Sequence, residues 1–211
     1  MTDEGHIGVD ESGKGDYFGP LVIAACFVGP EHLAELEGVK DSKKVTDLQA
    51  KRFAATIKRT CPHAIISIGP TKYNELYAKI GNLNRLLAWG HARAIENVLE
   101  LRPCELVISD QFADPAGLKR QLFEKGRAVT LESRVRAEAD IAVAAASILA
   151  RAEFVERLRR IGLDFETELP KGAGPPVVAA AKRFVARFGA ARLGEVAKLH
   201  FKTTQQVTWP V

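Results

Sequence analysis

The stretch that decides the fold is His6-Ile7-Gly8-Val9-Asp10-Glu11-Ser12-Gly13-Lys14-Gly15-Asp16-Tyr17-Phe18-Gly19-Pro20, followed at once by Leu21-Val22-Ile23-Ala24-Ala25-Cys26-Phe27. A short apolar run closes on two adjacent acids, turns through Gly-Lys-Gly and enters a second apolar run. Both runs carry Val and Ile, which fill strands well. The order is strand, paired carboxylates, basic glycine turn, strand. Carboxylates are hard oxygen ligands for small divalent cations, and a glycine turn lets backbone amides and a lysine come close to an anion. The layout suits a divalent metal held beside a phosphate backbone.

Working outward, residues 5–10 and 20–28 read as two strands. Lys40-Asp41-Ser42-Lys43-Lys44 is a charged loop, and Thr46 and Asp47 are caps for a helix running to about Arg59. Ala64 to Ile68 reads as a third strand, stopped by Gly69-Pro70. The longest apolar periodicity, through Ala88, Ala92, Ile95 and Leu99, predicts a helix over 82–101. Glu105 to Ser109 is a fourth strand ended by Asp110, residues 116–125 are helical, and Ala128 to Leu131 is a fifth strand. A helix follows over 138–160, with Ile141, Ala145, Ile148, Ala152 and Val155 on one stripe. Residues 161–211 read as a polar loop and one or two helices. This order predicts an α/β fold with a mixed sheet, an antiparallel meander continued by parallel crossovers.

At 211 residues the chain suits one sizeable domain, with 161–211 as its helical C-terminal part. No apolar run approaches the ~20 residues of a membrane helix, and the start MTDEGH is not a signal peptide. The expectation is a soluble cytoplasmic protein, a monomer by default, with no membrane partner. The net charge of +4 is a mild tilt toward polyanions. Cys26, Cys61 and Cys104 are odd in number and form no CxxC pair, so they read as small core residues in a reducing compartment. No GxxxxGK[ST] or GxGxxG follows a strand, which excludes a P-loop or dinucleotide site.

Asp10 and Glu11 close the first strand and Asp110 the fourth. Open α/β sheets build sites at the carboxyl ends of their strands. If these two strands are neighbours, Asp10 and Asp110 lie side by side, and such carboxylates persist where a cation neutralises them. Strand-end acids are also common turn formers and caps, the competing reading for Asp110 taken alone. A fourth acid is expected near the start of the 138–160 helix. Glu138 lies on the side that continues the apolar stripe, whereas Asp140 points roughly 200° around a helix of about 3.6 residues per turn. Glu138 is therefore favoured and Asp140 is the alternative.

Ser12 to Gly15 are the candidate substrate contacts, with Ser42 and Lys43 tracking the same backbone. The bland readings are a hairpin turn with a solvated lysine and a solvated charge run. Asn82 and Asn84 either contact nucleic acid or cap the long helix, and Tyr17 and Phe18 either stack on a base or are buried. Arg151 reads as a surface arginine, with a phosphate contact as the alternative; His6, His63, His91 and His200 read as structural, and His32 as a solvent-facing helix start. Lys182, Arg183, Arg187 and Arg192 form either a basic wall for a duplex or a solvated face.

These residues together resemble the type 2 ribonuclease H family, in detail ribonuclease HIII. The resemblance is carried by DESGKGDYFGPLV at 10–22, DSKK at 41–44, YNELYAKIGNLNRLLAWGHARAIENVL at 73–99, DQFA at 110–113, RAE at 136–138, VAAASILAR at 143–151, LPKGAG at 169–174 and AKLHF at 197–201. It implies a ribonuclease H-like fold, a five-stranded mixed sheet flanked by helices with a C-terminal helical extension. It also implies an endoribonuclease that cleaves the RNA strand of RNA/DNA hybrids with Mg²⁺ or Mn²⁺ and leaves 5′-phosphate and 3′-hydroxyl ends. Asp10, Glu11 and Asp110 match three of the family's catalytic acids, and Arg136-Ala137-Glu138 matches the context of the fourth. Ribonuclease HIII usually carries an N-terminal substrate-binding domain. Here the first motif begins at residue 7, so the chain corresponds to the catalytic part. The alternatives are ribonuclease HII-like incision at single ribonucleotides in DNA, and a hybrid-binding module without activity.

Overall fold

A computed structural model describes residues 4–39, 45–110, 115–135 and 137–208. Five strands form one sheet in the order β3-β2-β1-β4-β5. They are β1 (His6–Ser12), β2 (Leu21–Val28), β3 (His63–Ile68), β4 (Leu106–Asp110) and β5 (Thr130–Arg134). The helices are α1 (Asp47–Thr60), α2 (Pro70–Ile80), α3 (Leu83–Leu101), α4 (Pro115–Gln121), α5 (Glu124–Ala128), α6 (Ile141–Asp164), α7 (Pro175–Phe188) and α8 (Lys202–Thr208). β1 pairs antiparallel with β2, Asp10 opposite Ala24. It pairs parallel with β4 (Val9 with Ser109), and β4 pairs parallel with β5 (Asp110 with Arg134). The sheet is mixed, as the sequence pattern implies.

The chain packs as two compact units. The first takes the described residues of 1–12, 22–66 and 82–152. Val22 to Val28 of β2 are buried without alternation, the pattern of a strand covered on both faces. α3 lies against β2 so closely that a Cβ on Gly90 would stand 2.7 Å from Ile23 Cδ1. α6 begins still closer to β1: a Cβ on Gly8 would fall 2.1 Å from the backbone of Ala142 and Val143. Only glycine permits this approach, which sets the start of α6 beside the strand carrying the acids.

The second unit takes residues 13–21, 67–81 and the described residues of 153–211. Phe165, Phe184 and Phe188 form its aromatic centre, with rings 4.8 to 5.4 Å apart, and Arg192 lies over Phe165. Tyr17 and Phe18 are fully buried here, so the burial reading holds for both.

Several boundaries differ from expectation: β1 runs on to Ser12, and α2 follows Gly69-Pro70 where no element is expected. Residues 116–125 form two short helices, α4 and α5, and the fifth strand starts at Thr130 rather than Ala128. The cause is Glu96, a buried carboxylate of α3 that accepts from the amides of Lys125 and Gly126 and caps α5 from a distant part of the chain. The helix expected over 138–160 is a 3₁₀ turn at Ala137–Ala139 followed by α6, because Asp140 caps the helix instead of lying within it. His32 does not face solvent. It is buried in a 3₁₀ turn at Pro30–His32, where its Nδ1 accepts from the Gly29 amide at 3.0 Å.

Candidate active site

The first unit gathers the acids where its two central parallel strands end. Val9 pairs with Ser109, so Asp10 and Asp110 stand one step beyond in the same register. Neither strand could bring the other acid there alone. Asp10 is partly accessible but closely packed, and burial is the main cause that pushes its carboxyl up to about 7. The Glu11 charge next raises it further, and Asp110 adds to this. A hydrogen bond from the Ser147 hydroxyl and one from the Glu11 amide, at 2.8 Å, act in the opposite direction. Without a cation, Asp10 is a carboxyl that resists ionisation at neutral pH.

Each of the other acids has its own brace. Asp110 Oδ1 accepts the Ala137 amide at 3.1 Å, which brings the segment entering α6 to the end of β4. Glu11 Oε2 lies 3.1 Å from His91 Nε2, and His91 is fully buried in α3. Ser147, on α6, is buried as well. Residue 138 follows directly on the amide that holds Asp110; its side chain lies outside the described residues. Asp140 is otherwise engaged. Its carboxylate meets His6 Nε2 at 2.8 Å and accepts from the amides of Ala142 and Val143. Burial raises its pKa, but His6 and the two amides outweigh this and the net shift is downward.

Among the described residues, no three carboxylate, imidazole or thiol groups close around an ion as a finished cage. The arrangement is an open one, in which Asp10 feels two neighbouring carboxylates. Open sets of a few oxygen ligands suit Mg²⁺-like ions, which keep several waters. The donor chemistry therefore fits the implied metal.

The sequence-derived candidates divide as follows. Asp10, Glu11 and Asp110 are brought together. Ser12 ends β1 beside them, whereas Gly13, Lys14 and Gly15 belong to the second unit. Ser42, Lys43 and Lys44 lie outside the described residues. Asn82 caps α3, accepting from the Arg85 amide at 3.1 Å, and Arg151 pairs with Asp47 at 2.7 Å. His91 and Ser147 contact Glu11 and Asp10, partners that their sequence positions do not announce. The available signal was a histidine three residues from Ala88, on the buried stripe of α3.

A mixed sheet of this strand order, with carboxylates at the ends of two central parallel strands, is a ribonuclease H-type fold. The family model described as Ribonuclease HII matches residues 7–204. The chain belongs to the ribonuclease HII family. The ribonuclease HIII of Protochlamydia amoebophila is 45% identical over 204 residues, which are 96% of this chain and 68% of that protein. That of Chlamydia pneumoniae is 44% identical over 95% of this chain and 69% of its own length. The crystal structure of Bst-RNase HIII in complex with Mn²⁺ superposes with a TM-score of 0.89 at 34% identity, covering 97% of this chain and 69% of that one. RNase HII of Archaeoglobus fulgidus, solved as a complex with PCNA, gives a TM-score of 0.79 at 27% identity over 98% of both chains. The chain thus spans just over two thirds of its ribonuclease HIII relatives, and it is a ribonuclease H-type hydrolase. Among the described residues no helix is long and apolar enough to cross a membrane.

Proposed function

We infer that this ribonuclease hydrolyses the RNA strand of RNA/DNA hybrids at a divalent-metal centre formed by Asp10, Glu11 and Asp110, with Glu138 as the fourth carboxylate. One observation carries the reading: the parallel register of Val9 with Ser109 sets Asp10 and Asp110 side by side with Glu11 next in the chain, a cluster of carboxylates whose mutual repulsion a bound cation relieves. Mg²⁺ or Mn²⁺, when bound, supplies an activated water and neutralises charge on the leaving oxygen, so that 5′-phosphate and 3′-hydroxyl ends result.

The chain's own residues prepare this chemistry. The Ser147 hydroxyl and Glu11 amide favour the ionised, ligating form of Asp10. His91 fixes the Glu11 carboxylate in one direction, as partners behind a ligand usually do. The Ala137 amide holds Asp110 and sets residue 138 beside it. Asp140 serves His6 and the cap of α6, which supports Glu138 as the fourth acid. Ser12, Lys14 and the amides of Gly13 and Gly15 grip the phosphate and the 2′-hydroxyl that distinguishes RNA from DNA, and Ser42 and Lys43 follow the same backbone.

The test is cleavage of an end-labelled RNA/DNA hybrid in Mg²⁺, Mn²⁺ or EDTA, beside a DNA duplex holding one ribonucleotide. Metal-dependent cuts along the hybrid RNA, with the single site largely spared, are expected. Equal incision of both substrates would overturn the hybrid preference, and cleavage in EDTA would overturn the metal centre.

A further inference from the structure

Lys198 lies in the second unit and takes no part in the chemistry above, yet it is a fully buried lysine. Its Nζ donates to three backbone carbonyls, those of Asp16 and Gly19 at 2.7 Å each and Phe18 at 3.4 Å. Burying an ammonium is costly unless acceptors replace its water, and burial pulls this one down to about 7, against the opposing pull of the Asp16 charge. All three acceptors belong to the segment that leads out of the Gly13-Lys14-Gly15 turn.

The same segment is tied down at every step. The Tyr17 amide donates to Gly172 O and the Gly19 amide to Val196 O, both at 2.9 Å. The Lys198 amide donates to Tyr17 O at 2.9 Å, and Phe18 bridges to Ala197. Asp16 Oδ1 accepts the Gly172 amide at 2.6 Å. The strip that carries Lys198 is itself held by Asn74 of α2, whose side chain donates to Gly194 O and Ala197 O and accepts from the Leu199 amide. Gly13, at φ +87°, has Pro20 O only 2.3 Å from where a Cβ would stand, so the turn folds back on this base.

We propose that Lys198 is a positioning residue for the substrate: by drawing the carbonyls of Asp16, Phe18 and Gly19 inward, it fixes the base from which the Gly13-Lys14-Gly15 turn presents Lys14 to the nucleic-acid backbone. This rests on the reading of that turn as a substrate contact. A lysine with a merely structural role would change how much enzyme folds. One that acts through the turn changes what Lys14 contributes.

The experiment is steady-state kinetics on a labelled hybrid with Lys14→Ala, Lys198→Met and the double variant, each corrected for folded fraction. Lys14→Ala and Lys198→Met should each raise KM about tenfold, the scale of one charged contact, with kcat changed less than ~threefold. The double variant should lie within ~threefold of Lys14→Ala, because residues acting through one element are not additive. A KM raised ~hundredfold in the double variant, as for independent sites, overturns the role of Lys198 alone, as does a Lys198→Met enzyme with wild-type KM or with a loss confined to kcat. A Lys14→Ala enzyme with unchanged KM overturns the substrate reading of the turn instead. Should Lys198→Met not fold, Asn74→Ala loosens the same strip without leaving a buried site unfilled. Its KM effect should likewise vanish in the Lys14→Ala background, and persistence there overturns the proposal.

Discussion

Asp10→Asn should stabilise the metal-free protein while it destroys activity, and the size of the gain should depend on pH in a defined way. In the unfolded chain Asp10 ionises at its ordinary value of 3.8, whereas in the fold it holds its proton to about 7. The folded value is the higher one. Asp10 therefore costs the fold nothing below the unfolded value, and the cost grows between these two values and levels off above the upper one. At about 1.4 kcal/mol per unit the full penalty is about 4 kcal/mol, and partial access to water reduces it to roughly 2–4 kcal/mol. Asparagine is neutral throughout and still accepts the Ser147 hydroxyl. In EDTA the variant should melt close to the wild type at pH 4 and roughly 5–15 °C above it at pH 8, on the scale expected for a chain of this length. Mn²⁺ at pH 8 should raise the wild-type melting temperature and leave the variant almost unmoved, since binding to the native state alone stabilises it. Differential scanning calorimetry across that range checks this directly. A variant that melts at or below the wild type at pH 8, or a gap that is the same at pH 4 and pH 8, would refute the argument that the site's own charge opposes folding.

Other consequences are as specific. Glu138→Gln should abolish hybrid cleavage with little change in melting temperature. Asp140→Ala should cost about 2 kcal/mol, the upper range for a lost cap, while folded enzyme keeps most of its activity; thermal melts and cleavage assays on the pair decide between the two acids, and the opposite pattern would make Asp140 the fourth ligand. His91→Ala should weaken divalent-metal affinity, read by calorimetric titration, by roughly 10- to 100-fold through loss of the Glu11 brace. Gly8→Ala should destabilise the protein by about 3 kcal/mol or more, because the new methyl would overlap the α6 backbone; a soluble variant with wild-type melting temperature would show that α6 can retreat from β1.

What the sequence could and could not reveal follows from how far apart the partners lie. The pairing of Asp10 with Asp110 was legible because each acid ends an apolar run, and only one condition, that β1 and β4 be neighbours, had to be supplied by the fold. Local signals were equally clear at Thr46, which caps α1 by accepting from the Gln49 amide, and at Asn82 on α3. The misplaced boundaries trace to contacts across the chain. Nothing near residue 124 announces that Glu96 will cap α5. The Asp140 cap competed with an acidic first helical turn, and its decisive partner, His6, is 134 residues away. His91 looked like a core histidine and is one, but the group it touches is Glu11, 80 residues distant. Lys198 sits in Val196-Ala197-Lys198, where periodicity alone cannot distinguish a buried ammonium from a snorkelling one.

Three long-range contacts around the start of α6 share one geometric origin within the first unit. The missing side chain at Gly8 lets α6 approach β1 to backbone contact. That approach brings Ser147 within hydrogen-bonding reach of Asp10, lets Asp140 meet His6 on the same strand, and carries the Ala137 amide to Asp110. Two of these contacts touch the candidate ligands and one only secures the helix, yet all three fail together if the helix retreats. Gly8→Ala should therefore lose metal affinity along with stability, even where a residual folded fraction survives. A purely local packing defect predicts folded molecules with normal affinity. Titrating Mn²⁺ into the folded fraction of this variant separates the two, and unchanged affinity would show that the ligands hold their places without the helix.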